Sequence, residues 1–207
     1  MNLPPLFKSW FDKQEWQLRP HQSEMIDCFQ KHLSTLLIAP TGSGKTLAGF
    51  LPSLIDLHQN PSHRGLHTLY ISPLKALTYD IERNLTAPIE AMQLPITVGV
   101  RTGDTNSYQR TKQKSKPPHI LLTTPESLMI LLSYADAANM FRNLKWVIID
   151  ECHSFAFSKR GDFTSLALSC LLRIAPGHRR CGLSATVAAP DILAAWIHTP
   201  QQPAHIV

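Results

Sequence analysis

From Thr35 to the carboxyl terminus, short runs of β-branched and apolar residues alternate with longer stretches in which apolar positions follow a helical period. The short runs at 35–39, 67–72, 96–101, 119–123, 146–150 and 181–184, with 204–207 as a last one, predict strands. Most are continuously apolar, as strands buried on both faces are. The stretches between them at 45–58, 75–92, 125–133, 163–174 and 190–198 predict helices, with Pro88 expected to interrupt the second. Ahead of the first strand, residues 20–33 place Met25, Ile26, Phe29 and Leu33 on one stripe, which predicts an amphipathic helix lying on the sheet. This alternation predicts an α/β fold, with a mostly parallel central sheet and helices on both faces. Residues 61–65 and 103–118 read as surface loops, and the chain carries no internal repeat.

Composition narrows the class. With 207 residues, 43% hydrophobic and 17% charged, the chain can bury a sizeable core as one domain, which excludes intrinsic disorder. No apolar run approaches the ~18–20 residues of a membrane span, and the first residues lack the basic-then-apolar layout of a signal peptide. A cytosolic protein without a membrane partner is expected. The cysteines, Cys28, Cys152, Cys170 and Cys181, are too far apart for a Cys-x-x-Cys metal pair and read as reduced thiols. A net charge of +5 favours a polyanionic partner. Arg110, Lys112, Lys114 and Lys116, spaced two apart, form either a solvated basic face or a patch that tracks phosphates.

The first predicted strand runs into Ala39-Pro40-Thr41-Gly42-Ser43-Gly44-Lys45-Thr46, and a predicted helix follows. This is a P-loop, and it implies ATP with Mg²⁺. Its glycines let backbone N–H groups curl around the β-phosphate, Lys45 reaches the β- and γ-phosphates, and Thr46 offers a hydroxyl to Mg²⁺. The strict pattern opens with glycine where this chain has Ala39; Gly42 and Gly44, the two nearest the phosphates, are kept.

About a hundred residues on, the buried run Trp146-Val147-Ile148-Ile149 ends in Asp150-Glu151-Cys152-His153. Beside a P-loop, the acid pair suits a hydrolase in which Asp150 holds Mg²⁺ and Glu151 polarises the attacking water. Taken alone, the pair could instead cap a helix or sit in a solvated turn. His153 is a candidate link between the nucleotide site and its surroundings, and Cys152 reads as a small packing residue. The next predicted strand ends in Ser184-Ala185-Thr186.

Together these motifs resemble the first RecA-like domain of superfamily 2 helicases of the DExH-box type, over roughly residues 16–207. Within that superfamily the wording is similar to the Lhr-like group, in particular to bacterial ligase-associated DExH-box DNA helicases; Ser158-Lys159-Arg160-Gly161 after the acids adds to the likeness. That subgroup often has Trp at the position of Cys152, and Glu-Leu where this chain has Ser154-Phe155. The resemblance implies that Arg19 and Gln22, in Leu18-Arg19-Pro20-His21-Gln22, read adenine, and that Ser184, Ala185 and Thr186 couple the ATP site to movement. It also implies three loops that hold a nucleic-acid backbone: Ser72, Pro73 and Lys75; Arg101, Thr102 and Gly103; Thr124, Pro125 and Glu126. Physical chemistry agrees with this placement, since ligands of an open α/β sheet bind outside the carboxyl ends of its strands, and helix N-termini hold phosphates without reading bases.

The expected organisation is a lead-in segment at 1–19 and a RecA-like domain at 20–207. A second RecA-like domain, carrying arginine fingers, is expected elsewhere in a longer protein, so that this part alone binds more than it turns over. The resemblance further implies a single-stranded DNA tracking strand, 3′-to-5′ polarity and DNA-repair partners such as a ligase. An RNA helicase, a nucleic-acid-binding module without motor activity and a P-loop nucleotide kinase remain as alternatives.

Overall fold

The apolar runs become strands stacked side by side because both of their faces find cover. The structure, a computed structural model, describes residues 3–156, 158–199 and 201–207, and of residues 75–77 the backbone only. Its strands are β1 (Thr35–Ile38), β2 (Thr68–Ile71), β3 (Val98–Arg101), β4 (Ile120–Thr123), β5 (Trp146–Ile149), β6 (Arg179–Ser184) and β7 (His205–Ile206). They form one seven-stranded sheet in the order β3-β4-β2-β5-β6-β1-β7, and each pairing within it is parallel. Parallel neighbours need crossovers, which the helices supply.

The helices are α1 (Pro5–Lys13), α2 (Pro20–Gln30), α3 (Lys45–Gln59), α4 (Lys75–Ala91), α5 (Ser107–Ser115), α6 (Pro125–Leu132), α7 (Ala137–Phe141), α8 (Lys159–Ile174) and α9 (Pro190–Ile197). Strand side chains alternate between faces. Leu37, Tyr70, Leu122, Ile148 and Leu183 therefore join a core with α1 to α4, while Leu36, Leu69, Ile71, Leu121, Val147 and Ile149 join another with α6 to α9.

Several expectations change. Residues 103–118 are not all loop, because α5 lies within them, capped by the Asn106 side chain, which accepts the Gln109 N–H at 2.8 Å. The helix buries none of its residues, so it carries no apolar stripe to read. The expected lead-in segment contains α1, whose Phe7, Trp10 and Phe11 are buried in the same core as α3.

The stripe over 20–33 stops early: Met25 and Ile26 are buried, but α2 ends at Gln30, His32 turns into the left-handed region at φ 54°, and Leu33 is exposed. Pro88 does not interrupt α4. A proline inside a helix costs about 3 kcal/mol; burial of Leu85, Ile89 and Met92 around it offsets that. The helix expected from Phe163 begins a turn sooner, at Lys159, because the Ser158 side chain accepts the Gly161 N–H at 3.0 Å. All four cysteines are free thiols. Among the described residues no helix is long and apolar enough to cross a membrane.

Candidate nucleotide and nucleic-acid site

Because the strands are parallel, their carboxyl ends share one edge of the sheet, and strand order sorts what that edge carries. β3, β4 and β2 are consecutive neighbours, and they end in Arg101-Thr102-Gly103, Thr124-Pro125-Glu126 and Ser72-Pro73. β5, β6 and β1 are the next neighbours, and they end in Asp150-Glu151, Ser184-Ala185-Thr186 and the P-loop. The chain interleaves these motifs; the sheet separates them into two halves that meet between β2 and β5.

In the P-loop, Gly42 and Gly44 adopt φ of 79° and 80°, a region that disfavours any Cβ. A Cβ on Gly44 would also lie 2.9 Å from Gln22 Nε2. Ala39 needs no such freedom: it prolongs β1, donating its N–H to the Ser184 carbonyl oxygen at 3.1 Å. Lys45 is buried, and its ammonium donates to the carbonyl oxygens of Ala39 at 2.8 Å and Pro40 at 3.0 Å. These are bonds that phosphate oxygens can replace. The buried Ser43 Oγ has no hydrogen-bond partner among the described residues, so the loop holds a donor suited to a phosphate; Thr41 is exposed and Thr46 half-buried at its mouth.

Beside the loop lies a cleft of about 1020 Å³ whose wall includes Trp16, Arg19, Gln22, Gly44, Leu47 and Phe50. Gln22 is 3% exposed, and its Oε1 accepts the Arg19 backbone N–H at 3.0 Å; the Arg19 guanidinium reaches the Gly42 carbonyl oxygen at 3.4 Å. Trp16, 51% exposed, stands edge-on to Trp10 and Phe11. Trp16 and Phe50 were not singled out from the sequence. The spacing of Phe7, Trp10 and Phe11 behind an initial proline was the available signal that the region is folded.

Asp150 is buried, and each of its oxygens is engaged: the Tyr70 hydroxyl donates to Oδ2, and the Glu151 N–H donates to Oδ1 at 3.0 Å. Burial raises the Asp150 carboxyl above the usual range; the Tyr70 bond opposes that, and the neighbouring Glu151 charge adds to it. Burial, with Asp150 beside it, also pushes the Tyr70 phenol far up, so Tyr70 is a donor only. Glu151 has φ 45°, a left-handed conformation costing ~1–2 kcal/mol. It turns the chain into a 3₁₀ turn at Cys152–Ser154. His153 Nδ1 then lies 2.9 Å from Ser184 Oγ and 3.4 Å from Glu151 Oε2. Cys152 is fully buried, and burial raises its thiol well out of the reactive range, in keeping with a packing role.

The residues fit Mg²⁺: a buried carboxylate near enough to Lys45 of the P-loop to feel its charge, beside a second acid whose charge a divalent cation would offset. Mg²⁺ is commonly held by only one or two carboxylates together with phosphate oxygens. Thr46 and Asp150 are the groups that would hold it.

On the other half of the edge the loops are built from backbone and hydroxyl groups. Ser72 is buried, and its Oγ donates to the Leu74 carbonyl oxygen at 3.1 Å, shaping the turn at Pro73. The Lys75 side chain lies outside the described residues. Thr105 Oγ1 accepts the Thr102 N–H at 2.9 Å, and Arg110 donates to the carbonyl oxygens of Thr105 at 2.6 Å and Gly103 at 2.8 Å. Arg110 therefore braces this loop, and Lys114 pairs with Asp136 at 3.2 Å. The basic run is not a uniform solvated face.

Arg101 departs furthest from a strand-end phosphate contact. It is only 3% exposed and donates to the Tyr134 hydroxyl at 3.1 Å. Thr124 caps α6, accepting the Ser127 N–H at 3.4 Å, and Glu126 receives two bonds from Arg160.

Residues 19–193 match the DEAD/DEAH box helicase family. The ATP-dependent helicase Lhr-Core of Sulfolobus acidocaldarius is 40% identical over 205 residues, covering 93% of this chain and 23% of that protein. The Lhr helicase/probable uracil glycosylase of Mycolicibacterium smegmatis is 42% identical over 217 residues, covering 98% of this chain and 14% of that protein. The structure of Mycobacterium smegmatis helicase Lhr bound to ssDNA and AMP-PNP superposes with a TM-score of 0.88 at 40% identity, over 99% of this chain and 27% of that one. The chain thus spans about a quarter or less of these relatives. It belongs to the DEAD/DEAH box helicase family, and its relatives there include Lhr helicases.

Proposed function

We propose that this chain is the ATP-binding motor domain of a DNA helicase that couples ATP hydrolysis to 3′-to-5′ movement on, or unwinding of, DNA in repair within the cytosol. The observation that carries the reading is the sorted sheet edge, with P-loop and paired acids on β1, β5 and β6 and phosphate-type loops on the adjoining β2, β4 and β3. The nucleotide base enters the cleft bordered by Arg19, Gln22 and Trp16. Lys45 exchanges its two loop carbonyls for β- and γ-phosphate oxygens, with the Gly42, Ser43 and Gly44 backbone and the Thr41 side chain around them. Thr46 and Asp150 hold Mg²⁺, which when bound neutralises phosphate charge. Glu151 orients the attacking water and accepts its proton. His153 and Ser184, followed by Ala185 and Thr186, carry the state of the acids to the rest of the edge.

The loops at Ser72-Pro73-Lys75, Thr102-Gly103 and Thr124-Pro125-Glu126 hold the tracking strand through backbone N–H and hydroxyl groups; Arg101 joins them by exchanging Tyr134 for a phosphate. DNA rather than RNA is supported by relatives of known structure, the Lhr helicase bound to ssDNA and the DUF1998 helicase MrfA bound to DNA and AMPPNP. A second RecA-like domain of the same protein supplies the arginine fingers, worth ~10³–10⁵ in rate, and repair proteins such as a ligase are partners.

The test is ATP binding by calorimetry on this chain, and ATPase of the full-length protein with single-stranded DNA or RNA. Lys45→Ala should lose ATP affinity, and Glu151→Gln should bind ATP without turning it over. Unchanged nucleotide binding in Lys45→Ala removes the P-loop role, and stimulation by RNA alone removes the DNA assignment.

A further inference from the structure

We propose that Arg160 is a positioning residue that makes the nucleic-acid loop at Thr124-Pro125-Glu126 and the catalytic-acid loop move as one body. The inference rests on the nucleic-acid reading of that loop. Arg160 lies in the Ser158-Lys159-Arg160-Gly161 run, for which the ATP chemistry has no use.

Its backbone is welded to the acid loop. Phe155 caps the 3₁₀ turn that follows Asp150 and Glu151. Its carbonyl oxygen accepts the Ser158 hydroxyl at 2.8 Å, and the Gly161 N–H donates back to Ser158 Oγ at 3.0 Å. The approach is so close that a Cβ on Gly161 would lie 1.8 Å from the Phe155 carbonyl oxygen. The first turn of α8 therefore cannot shift without carrying Phe155, and with it the turn that holds His153.

The Arg160 side chain carries the connection across the edge. Its Nε donates to Glu126 Oε1 at 2.7 Å and its Nη2 to Oε2 at 3.0 Å, while the guanidinium carbon sits 5.9 Å from the Phe155 ring centroid. Two parallel bonds fix the plane of the carboxylate as well as its distance, which a lysine cannot do. Burial works to raise the Glu126 carboxyl, but the Arg160 bonds and charge, together with the Glu126 N–H and the Thr124 side chain, hold the group below the usual range, so the pair stays ionic.

Glu126 occupies the first turn of α6, where an unrestrained carboxylate would compete with phosphate for the free N–H groups of that helix end. Arg160 pairs with both of its oxygens and offsets its charge. The two side chains are 38% and 54% exposed, so the pair adds little to fold stability, and its consequence is geometric. Displacing the Thr124 to Glu126 turn with a bound strand then displaces the acids, and the reverse also holds.

The test uses the chain as it stands, with oligo-dT binding followed by fluorescence anisotropy and amide hydrogen exchange followed over residues 150–156. In the wild type, saturating oligo-dT should slow exchange across 150–156 at least threefold. Arg160→Ala should still bind oligo-dT at higher concentration and keep its nucleotide affinity within twofold, yet lose that protection at saturation. Arg160→Lys should recover less than half of it, and the exchanged pair Arg160→Glu with Glu126→Arg should restore it. Protection retained in Arg160→Ala, or absent from the wild type at saturation, overturns the inference. No anisotropy change with any oligonucleotide overturns the nucleic-acid reading itself, and the inference with it.

Discussion

His153 Nδ1 lies 2.9 Å from Ser184 Oγ, and the Ser184 carbonyl oxygen accepts the Ala39 N–H that begins the P-loop. Ser184 therefore touches the acid loop with its side chain and the phosphate loop with its backbone. A hydrogen bond of this kind is worth about 1 kcal/mol, roughly a fivefold effect. In the protein with its proposed second RecA-like domain, His153→Ala and Ser184→Ala should each leave ATP affinity within about twofold and lower nucleic-acid-stimulated ATPase by about fivefold or more. Because both remove the same bond, the double variant should be no worse than either single one. Losses that multiply would show that the two residues act separately.

Tyr70 and Asp150 join the two halves of the sheet edge, one from β2 and one from β5. Tyr70→Phe keeps the ring that stacks on Phe50 at 5.2 Å but leaves Asp150 buried without its hydroxyl donor. Hydrogen bonds to a charged group contribute ~1.5–3 kcal/mol. Urea unfolding should show a loss of that order, and calorimetry at several Mg²⁺ concentrations should show ATP binding with altered metal dependence. Wild-type stability together with unchanged metal dependence would mean that the hydroxyl does not set the carboxylate.

Glycine-to-alanine changes within helices usually stabilise, by up to about 1 kcal/mol. At Gly161 the sign should reverse, since the added carbon would lie 1.8 Å from the Phe155 carbonyl oxygen. A net loss of about 2 kcal/mol or more is expected. At Gly177 nothing among the described residues beyond its chain neighbours lies within 4 Å of such a carbon, and Gly177→Ala should be nearly neutral. Parallel denaturation curves of the two variants give the comparison.

Acid should weaken the fold through His178. Burial lowers its pKa to about 4, helped by the nearby charges of Arg180, Arg179 and His198 and opposed by its bond to Ala175. The neutral ring is also built in: Nδ1 donates to the Ala175 carbonyl oxygen at 2.6 Å, and Nε2 accepts from Arg180 Nε at 3.3 Å. With the folded pKa below the unfolded value of about 6.5, its stabilisation is complete above pH 6.5 and lost as pH falls towards 4. The slope is about 1.4 kcal/mol per unit in that window. His178→Gln should be less stable at pH 7 and show a shallower decline in melting temperature between pH 6.5 and 4.5. An unchanged slope would assign acid sensitivity to other histidines whose pKa burial lowers, half-buried His63 and buried His67 among them.

Local pattern by itself determined that this chain is an α/β domain with a P-loop, because those features are written in neighbouring residues. Buried strands need continuous apolar runs, a phosphate cradle needs Gly42 and Gly44 before Lys45, and an acid pair after an apolar run marks a strand end. Where an element buries nothing, as in α5, no period exists to be read.

Strand order was decided only in three dimensions. It depends on which faces pack best across the whole sheet, and it sets β2 against β5 so that Tyr70 meets Asp150 across eighty positions of sequence. The same packing turned Arg101 inward onto Tyr134 and brought Arg160 to Glu126. A residue's type and its place at a strand end say that it has a charge or a hydroxyl to offer. Which partner receives it is set by neighbours that come from distant parts of the chain.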